Sequence, residues 1–252
     1  MPNIFDIKLV FEQIPKLLAY LPVTLEITLI SMFFGIILGL LIAIIKINKI
    51  PVLSQICALY ISVIRGTPIL VQLYLTYFGI PIFLKYINYY NGTNYNVNNI
   101  PPLLFVLVTF SLNQAAYNSE IIRAAIQSVD KGQIEAANSL GMTAIQVLRR
   151  VIIPQSIVVA LPSLGNGLIS LMKGTSLAFV CSVVEITAQG KIIAGDNYRY
   201  FEVYLSLAII YWGLTIIIEN IIKIIEKKVS IPDKVLSIES RKGIGTWLKY
   251  RV

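Results

Sequence analysis

The chain contains no histidine, and only 13% of its 252 residues are charged. A soluble domain usually carries charge on about a quarter of its residues. So few charges cannot cover a water-soluble surface, and a hydrophobic content of 56% indicates a membrane protein. The two cysteines, Cys57 and Cys181, lie in apolar runs without a C-x-x-C motif. The usual zinc and iron–sulfur sites are therefore excluded, and both cysteines are expected to be small core residues.

The chain also lacks a phosphate-binding loop of the form G-x-x-x-x-G-K-[ST]. The phosphate-binding part of an ATPase is therefore not expected in it. The net charge of +8 comes from basic residues in patches between apolar runs. Because these residues form no single basic stripe and no nucleic-acid motif accompanies them, no nucleic-acid partner is expected.

Five segments are apolar enough to span a bilayer, which takes about 20 residues as a helix. They are Thr24 to Ile45, Val52 to Ile80, Pro101 to Ile122, Val151 to Met172 and Val203 to Ile222. The second is predicted as one span that contains Arg65 to Pro68. A shorter apolar run, Leu177 to Ile186, is predicted to be a half-helix within the protein. The predicted fold class is an all-α, polytopic membrane protein with about five transmembrane helices.

The basic residues predict the orientation of these spans. With the N-terminus outside and the C-terminus inside, most of the 21 lysines and arginines fall in cytoplasmic loops and the tail. Residues 1–23 form a separate segment, in which Ile4 to Tyr20 mixes apolar and charged residues. This mixture favours a helix lying at the lipid interface. The membrane domain is then 24–228, and residues 229–252 form a cytoplasmic tail.

One segment of mixed polarity, EAANSLGMTAIQVLRRVIIPQ, begins at Glu135 within a predicted cytoplasmic loop of residues 126–154. Its first six residues are good helix formers, and Gly141 suits the left-handed conformation that ends many helices. Pro154 is tolerated in the first turn of the next span. The loop is therefore predicted to form a helix, a sharp turn and a second helix. Small residues at the surface, Ala136 and Ala137, would let a partner approach closely, although an ordinary amphipathic loop helix is the alternative.

The spacing of this segment resembles the EAA signature of membrane subunits of bacterial ABC importers, which is Glu-Ala-Ala, then Gly, then Ile-x-Leu-Pro. The match comprises Glu135-Ala136-Ala137, Gly141 and Val151 to Pro154. Three further stretches resemble the polar amino-acid uptake branch of that family. They are RGTPILVQ from Arg65, YNSEIIR from Tyr117 and KGTSL from Lys173. The resemblance covers roughly residues 21–228.

This resemblance implies a permease of the bacterial cytoplasmic membrane, surrounded by lipid. A second permease, identical or homologous, would complete the pathway, and an external solute-binding protein would deliver an amino acid. Separate ABC ATPase subunits would bind ATP and dock on the loop, so the chain itself would need no cofactor and would not be an enzyme. The coupling residues carried by the motif are Glu135, Ala136, Ala137, Gly141 and Pro154. A secondary transporter or a membrane scaffold is the rival class, and neither explains the EAA spacing.

Polar residues within the spans are candidates for the substrate pathway, because such residues are expensive in a membrane. They are Arg65, Thr67, Gln72, Asn166, Ser170, Thr175 and Ser176. Arg65 would contact a substrate carboxylate or line the pathway, or would be a structural arginine paired with a carbonyl, Glu185 or Glu120. For the serines and their neighbours, helix–helix contact through small residues is the alternative.

Two glycines indicate which charge the substrate is expected to carry. Relatives within the family often carry acidic residues where this chain has Gly167 and Gly174, and a cationic substrate would be expected to require an anion. Ser176 to Phe179 and Arg199 to Tyr204 look most like cystine importers. L-cystine is therefore the expected substrate, with glutamine or another polar amino acid next.

Overall fold

The computed structural model describes residues 5–94, 96 and 99–229, and these residues form helices and connections without a strand. The ten α-helices are α1 Ile7–Leu18, α2 Leu21–Ile47, α3 Leu53–Gly66, α4 Ile69–Asn91, α5 Pro102–Gln127, α6 Lys131–Ser139, α7 Ala144–Val147, α8 Ile153–Gly174, α9 Ile186–Asn197 and α10 Tyr200–Val229. A π-helical turn, Leu148–Ile152, joins α7 to α8, and a 3-10 helix, Thr175–Cys181, follows α8. The predicted tail beyond Val229 lies outside the described residues.

Four stretches of the described chain are long and apolar enough to cross a membrane. They are Leu21–Ile47, Ile69–Asn91, Ala144–Cys181 and Tyr200–Val229. The predicted span from Pro101 to Ile122 forms α5, whose 26 residues include a polar second half. A helix of this length also reaches across a bilayer, so the count of five spans and their orientation stay predictions.

The second span was predicted as one segment from Val52 to Ile80, and this was wrong. The chain forms two helices there, because Thr67 is extended, with φ −119° and ψ 143°. Pro68 has no amide hydrogen to continue a helix, and its ring disfavours helical geometry at the residue before it. The second helix, α4, then continues to Asn91, well beyond the predicted end.

The predicted half-helix from Leu177 to Ile186 was also wrong. Its first part belongs to the 3-10 helix, which ends at Cys181 and is followed by Ser182 with a φ of 61°. The short helix of this region is α9, and it starts only at Ile186. The Glu185 carboxylate caps α9 by accepting a hydrogen bond from the Ala188 amide at 2.8 Å. A buried N-cap, which apolar periodicity does not reveal, therefore decides where this helix begins.

The centre of the protein is the contact between α2 and α5, which two glycines of α2 make close. A Cβ atom at Gly35 would lie 2.6 Å from the Cβ of Gln114, and one at Gly39 would lie 3.0 Å from the Cβ of Asn118. Glycines allow helices in membranes to approach in this way. Around this contact, a buried apolar cluster joins α2, α4, α5, α8 and the 3-10 helix. Its members are Ile27, Met32, Leu73, Val106, Phe110, Leu171, Ala178, Cys181 and Val183.

The N-terminal segment forms the predicted helix, and one face of it packs on the protein. Leu17 of α1 joins Ile186, Leu207 and Ile210 in a second buried cluster. The Ser206 hydroxyl donates a hydrogen bond to the Val10 carbonyl oxygen at 2.7 Å. This face therefore fixes α1 to α9 and α10, whereas its contact with lipid stays a prediction.

Candidate functional site

The loop with the EAA motif forms a helix that ends in a tight turn at Gly141. The Gly141 φ is 77°. Its amide donates to the Asn138 carbonyl oxygen at 2.9 Å, and the Met142 amide donates to the Ala137 carbonyl oxygen at 3.2 Å. These two bonds form a Schellman motif, which requires a left-handed residue at the position of Gly141. The predicted sharp turn at this glycine is confirmed.

The second helix of the loop starts with a capping box. The Thr143 hydroxyl accepts from the Gln146 amide at 3.4 Å, and the Gln146 side chain accepts from the Thr143 amide at 2.8 Å. Beyond α7 the chain stays helical through the π-helical turn, where the Ile153 amide bonds the Leu148 carbonyl oxygen. Pro154 occupies the first turn of α8, as predicted. Because proline has no amide hydrogen, the first turn of a helix, where amides lack intrahelical partners anyway, tolerates it.

The loop presents a mixed surface to solvent. Glu135 and Ala136 are exposed, but Ala137 is only 6% exposed. The prediction that both alanines lie at the surface was therefore wrong for Ala137, which turns toward the protein. Two apolar side chains that the motif does not include are far more exposed, Leu140 at 83% and Ile145 at 77%. Exposed apolar side chains beside polar ones are typical of a protein-binding surface.

A cavity of about 440 Å³ lies between the α3–α4 break, α5 and α8. Its lining mixes apolar and uncharged polar side chains with two glycines. The lining residues are Thr67, Pro68, Ile69, Phe110, Asn113, Gln114, Tyr117, Asn118, Ile121, Gly167, Ser170, Leu171 and Gly174. No acidic or basic residue is among them. Arg65 lies beside the lining residue Tyr117, with its guanidinium carbon 5.3 Å from the centroid of the Tyr117 ring.

One buried acceptor in this cavity has no partner within the described protein. Asn118 is fully buried, and its amide nitrogen lies 3.7 Å from the Met32 sulfur. Its amide oxygen has no hydrogen-bond donor. This oxygen and the Gln114 amide oxygen each lie 3.9 Å from the position of a Cβ at Gly167. The two oxygens therefore converge where α8 has no side chain, and buried acceptors of this kind normally require a donor.

The side-chain amide of Gln72 stabilises the break between α3 and α4. Gln72, predicted as a pathway residue, donates from its side-chain nitrogen to the carbonyl oxygens of Ile64 and Thr67. It also donates to the Thr67 hydroxyl, and its own oxygen accepts from Asn113 at 3.0 Å. These bonds replace the backbone pairing lost at Pro68. Gln72 thus positions the cavity wall but does not line the cavity.

The other predicted pathway residues separate into groups. Thr67 and Ser170 line the cavity. Asn166 lies on a different face of α8, in a groove with Glu219 of α10. Thr175 is buried and bonds the Met172 carbonyl oxygen, and Ser176 lines a separate pocket with Lys173. The structure does not bring these three residues to the cavity.

Arg65 lies outside the four stretches that are long enough to cross a membrane, and it forms no ion pair with either acidic residue that the sequence offered for it. It is exposed at the last turn of α3. Glu120 instead pairs with Lys46 at 2.5 Å and Arg123 at 2.6 Å. Glu185 accepts from Thr24 and Tyr211. Arg65 is therefore placed beside the cavity by its contact with Tyr117 rather than by an ion pair.

Sequence reasoning missed the polar cavity residues of α5, which are Asn113, Gln114, Tyr117 and Asn118. Their spacing of i, i+1, i+4 and i+5 puts them on one helical face. A stripe of amides and a tyrosine in a predicted span is the signal that could have found them.

Comparisons with known proteins agree with this architecture. Residues 35–231 match the sequence model of the family described as binding-protein-dependent transport system inner membrane component. The probable amino-acid permease YxeN of Bacillus subtilis (strain 168) is 46% identical over 210 residues, which are 83% of this chain and 89% of that protein. The L-cystine transport system permease TcyL of the same strain is 41% identical over 212 residues, covering 84% and 86%.

A solved structure, described as an amino acid ABC transporter with histidines, has a chain similar in fold. It is 38% identical, with a TM-score of 0.76, over 89% of this chain and 99% of that one. The chain thus belongs to the family of binding-protein-dependent transport system inner membrane components, and it is a multi-pass permease subunit, not an enzyme, of an amino-acid ABC importer.

Proposed function

We propose that this permease conducts uncharged polar amino acids, L-cystine first among them, through the cavity between α3, α4, α5 and α8. The observation that carries the proposal is the lining itself, which contains amides, hydroxyls and glycines but no ionised side chain. A volume of about 440 Å³ lies in the range of small-molecule sites. The 41% identity to an L-cystine permease supports cystine as the first substrate to test.

The two cavity glycines argue against a cationic substrate. Gly167 and Gly174 both line the cavity, and acidic residues at these positions would supply the anion that a cationic side chain requires. A buried charge without a partner is strongly unfavourable. The Asn118 and Gln114 oxygens instead offer neutral acceptors, which suit the ammonium groups of a zwitterion that brings its own carboxylates.

Transport would be coupled to ATP hydrolysis through the loop from α6 to α7. Exposed Glu135 and Ala136, with apolar Leu140 and Ile145 beside them, form a surface suited to a cytoplasmic ATPase subunit. The partners in this proposal are that ATPase, an external solute-binding protein and a second permease. The Schellman turn at Gly141 would hold the surface in one shape.

Competition for uptake tests the proposed substrate. The permease, its ATPase and its binding protein are reconstituted in vesicles, and uptake of radiolabelled L-cystine is measured with each unlabelled amino acid at equal concentration. We expect cystine and neutral polar amino acids to compete, and arginine and lysine to compete poorly. If arginine competes as well as cystine, the proposal of an uncharged pathway is wrong.

A pair of variants locates the selectivity in the cavity. Gly167→Glu should depress cystine uptake, because it fills the space before Asn118 and adds an unpaired charge. Gly167→Ala is the control, since its Cβ would meet its nearest atoms at 3.9 Å, an ordinary contact. Equal loss in both variants would indicate that a change in helix packing, rather than charge, is responsible.

A further inference from the structure

A side-chain hydrogen bond links the EAA helix directly to the helix that walls the cavity. The Gln155 side-chain nitrogen, in the first turn of α8, donates to the Gln133 side-chain oxygen of α6. Among the described residues it is the one side-chain hydrogen bond from α6 to another helix, because the remaining side-chain bonds of α6 stay within it or at its N-cap. The pair therefore joins two elements that the chain connects only by a longer path.

That longer path departs from α-helical geometry at two places. The first is the turn at Gly141, where the backbone leaves helical geometry. The second is the π-helical turn Leu148–Ile152. Wider turns and left-handed residues interrupt the regular bonding that makes a helix stiff. If the backbone alone connected α6 to α8, part of a movement of α6 would change these two turns and would not reach α8.

The helix at the other end of the link reaches the cavity as one continuous element. α8 runs from Ile153 to Gly174 and continues through Pro162. Gly167, Ser170 and Gly174 of this helix line the cavity. Gln155 and Gly167 are separated by about 18 Å along the helix axis, at a rise of about 1.5 Å per residue. A displacement at Gln155 therefore moves the same element that faces Asn118 and Gln114.

We infer that Gln133 and Gln155 are positioning residues that couple the ATPase-docking helix to the cavity wall. The hydrogen bond between them connects α6 directly to the start of α8, without the turn at Gly141 or the π turn between, so the two helices move together. This inference rests on the proposed docking of an ATPase on the loop. It predicts a defect in coupling, which is distinct from a defect in docking or in substrate binding.

The test compares uptake with ATP hydrolysis in the reconstituted transporter. Gln133→Ala and Gln155→Ala should each lower the number of substrate molecules transported per ATP, by about two- to tenfold if the loss follows the free energy of one hydrogen bond. The double variant should be no worse than either single one, because both remove the same bond. ATPase co-purification and the KM for substrate should stay unchanged. Gln127→Ala is the matched control, since its exposed side chain bonds Arg123 within α5.

Two further variants distinguish the loss of the Gln133–Gln155 hydrogen bond from an unspecific effect of substitutions in the loop. Gln133→Glu keeps an acceptor for Gln155 and should retain coupling, and Gln133→Glu with Gln155→Lys should retain it through an ion pair. Unchanged coupling in both alanine variants, or additive losses in the double one, would overturn the inference while docking stands. Failure of the unsubstituted permease to co-purify with its ATPase would instead overturn the proposed docking, and the inference with it.

Discussion

The Met142 amide and the Ala137 carbonyl oxygen lie 3.2 Å apart and close the end of the EAA helix. They meet because Gly141, between them, has a φ of 77°. The exposed surface of the loop before and after this turn depends on that single backbone conformation. A change at Gly141 should therefore act through the turn, since a Cβ there would have no neighbour within 4 Å.

Gly141→Val is predicted to weaken ATPase docking while the permease still inserts. A left-handed conformation costs a residue with a Cβ atom about 1–2 kcal/mol, and a β-branched residue is especially strained there. Co-purification of the ATPase should fall by a factor of about 5–30, as that energy implies. Gly141→Asn is the control, because asparagine tolerates this region. Normal docking and uptake with valine would mean that the turn does not form the docking surface.

Gly35→Ala is predicted to destabilise the fold by crowding the contact between α2 and α5. The new Cβ would lie 2.6 Å from the Cβ of Gln114, which its own helix holds in place. Overpacking of this kind typically costs about 1–3 kcal/mol. Thermal unfolding in detergent should show a lower midpoint. Gly79→Ala is the comparison, since nothing lies within 4 Å of that site, and equal midpoints for the two variants would contradict the close contact of α2 and α5.

Asn118→Leu is predicted to weaken substrate binding. Leucine has a similar size but removes the unpartnered oxygen that faces the cavity, and a hydrogen bond to a charged group is worth about 1.5–3 kcal/mol. The KM for L-cystine should rise about tenfold or more on that scale. Ser111→Ala, a buried position of α5 outside the cavity lining, is the control. An unchanged KM would show that the Asn118 oxygen does not meet the substrate.

The predicted orientation is tested with tags at both ends of the chain. A tag before Phe5 should be accessible from outside the cell, and a tag after Val252 should be accessible only from the cytoplasm. This follows from the excess of lysine and arginine in the predicted inside loops. Protease protection in sealed vesicles of known orientation measures both. Finding the two tags on the same side would contradict an odd number of spans.

Some features were fixed by residue type and could be predicted from the sequence. Apolar runs require burial in lipid or protein, so helices α2, α8 and α10 were found close to their observed positions. Gly141 was found because few residues other than glycine adopt a positive φ without strain. The second span was predicted as one segment, although Pro68, which lies at the observed break, was visible in the sequence. The EAA spacing led to the family, which the comparisons confirm.

Tertiary packing decided the rest, because the sequence does not show which neighbouring helix a single polar side chain faces. Asn166 and Ser170 are one helical turn apart, yet they face different grooves of α8. Ala136 and Ala137 are adjacent, yet only Ala136 is exposed. Gly35 and Gly39 bring α2 close to α5, and the Asn118 oxygen of α5 lies 3.9 Å from the position of a Cβ at Gly167. The sequence alone thus indicated a helical permease subunit of an amino-acid importer, with an EAA-like segment in one of its loops. Only the tertiary structure decided which polar side chains converge, because convergence depends on how closely the helices approach and on which faces they turn toward one another.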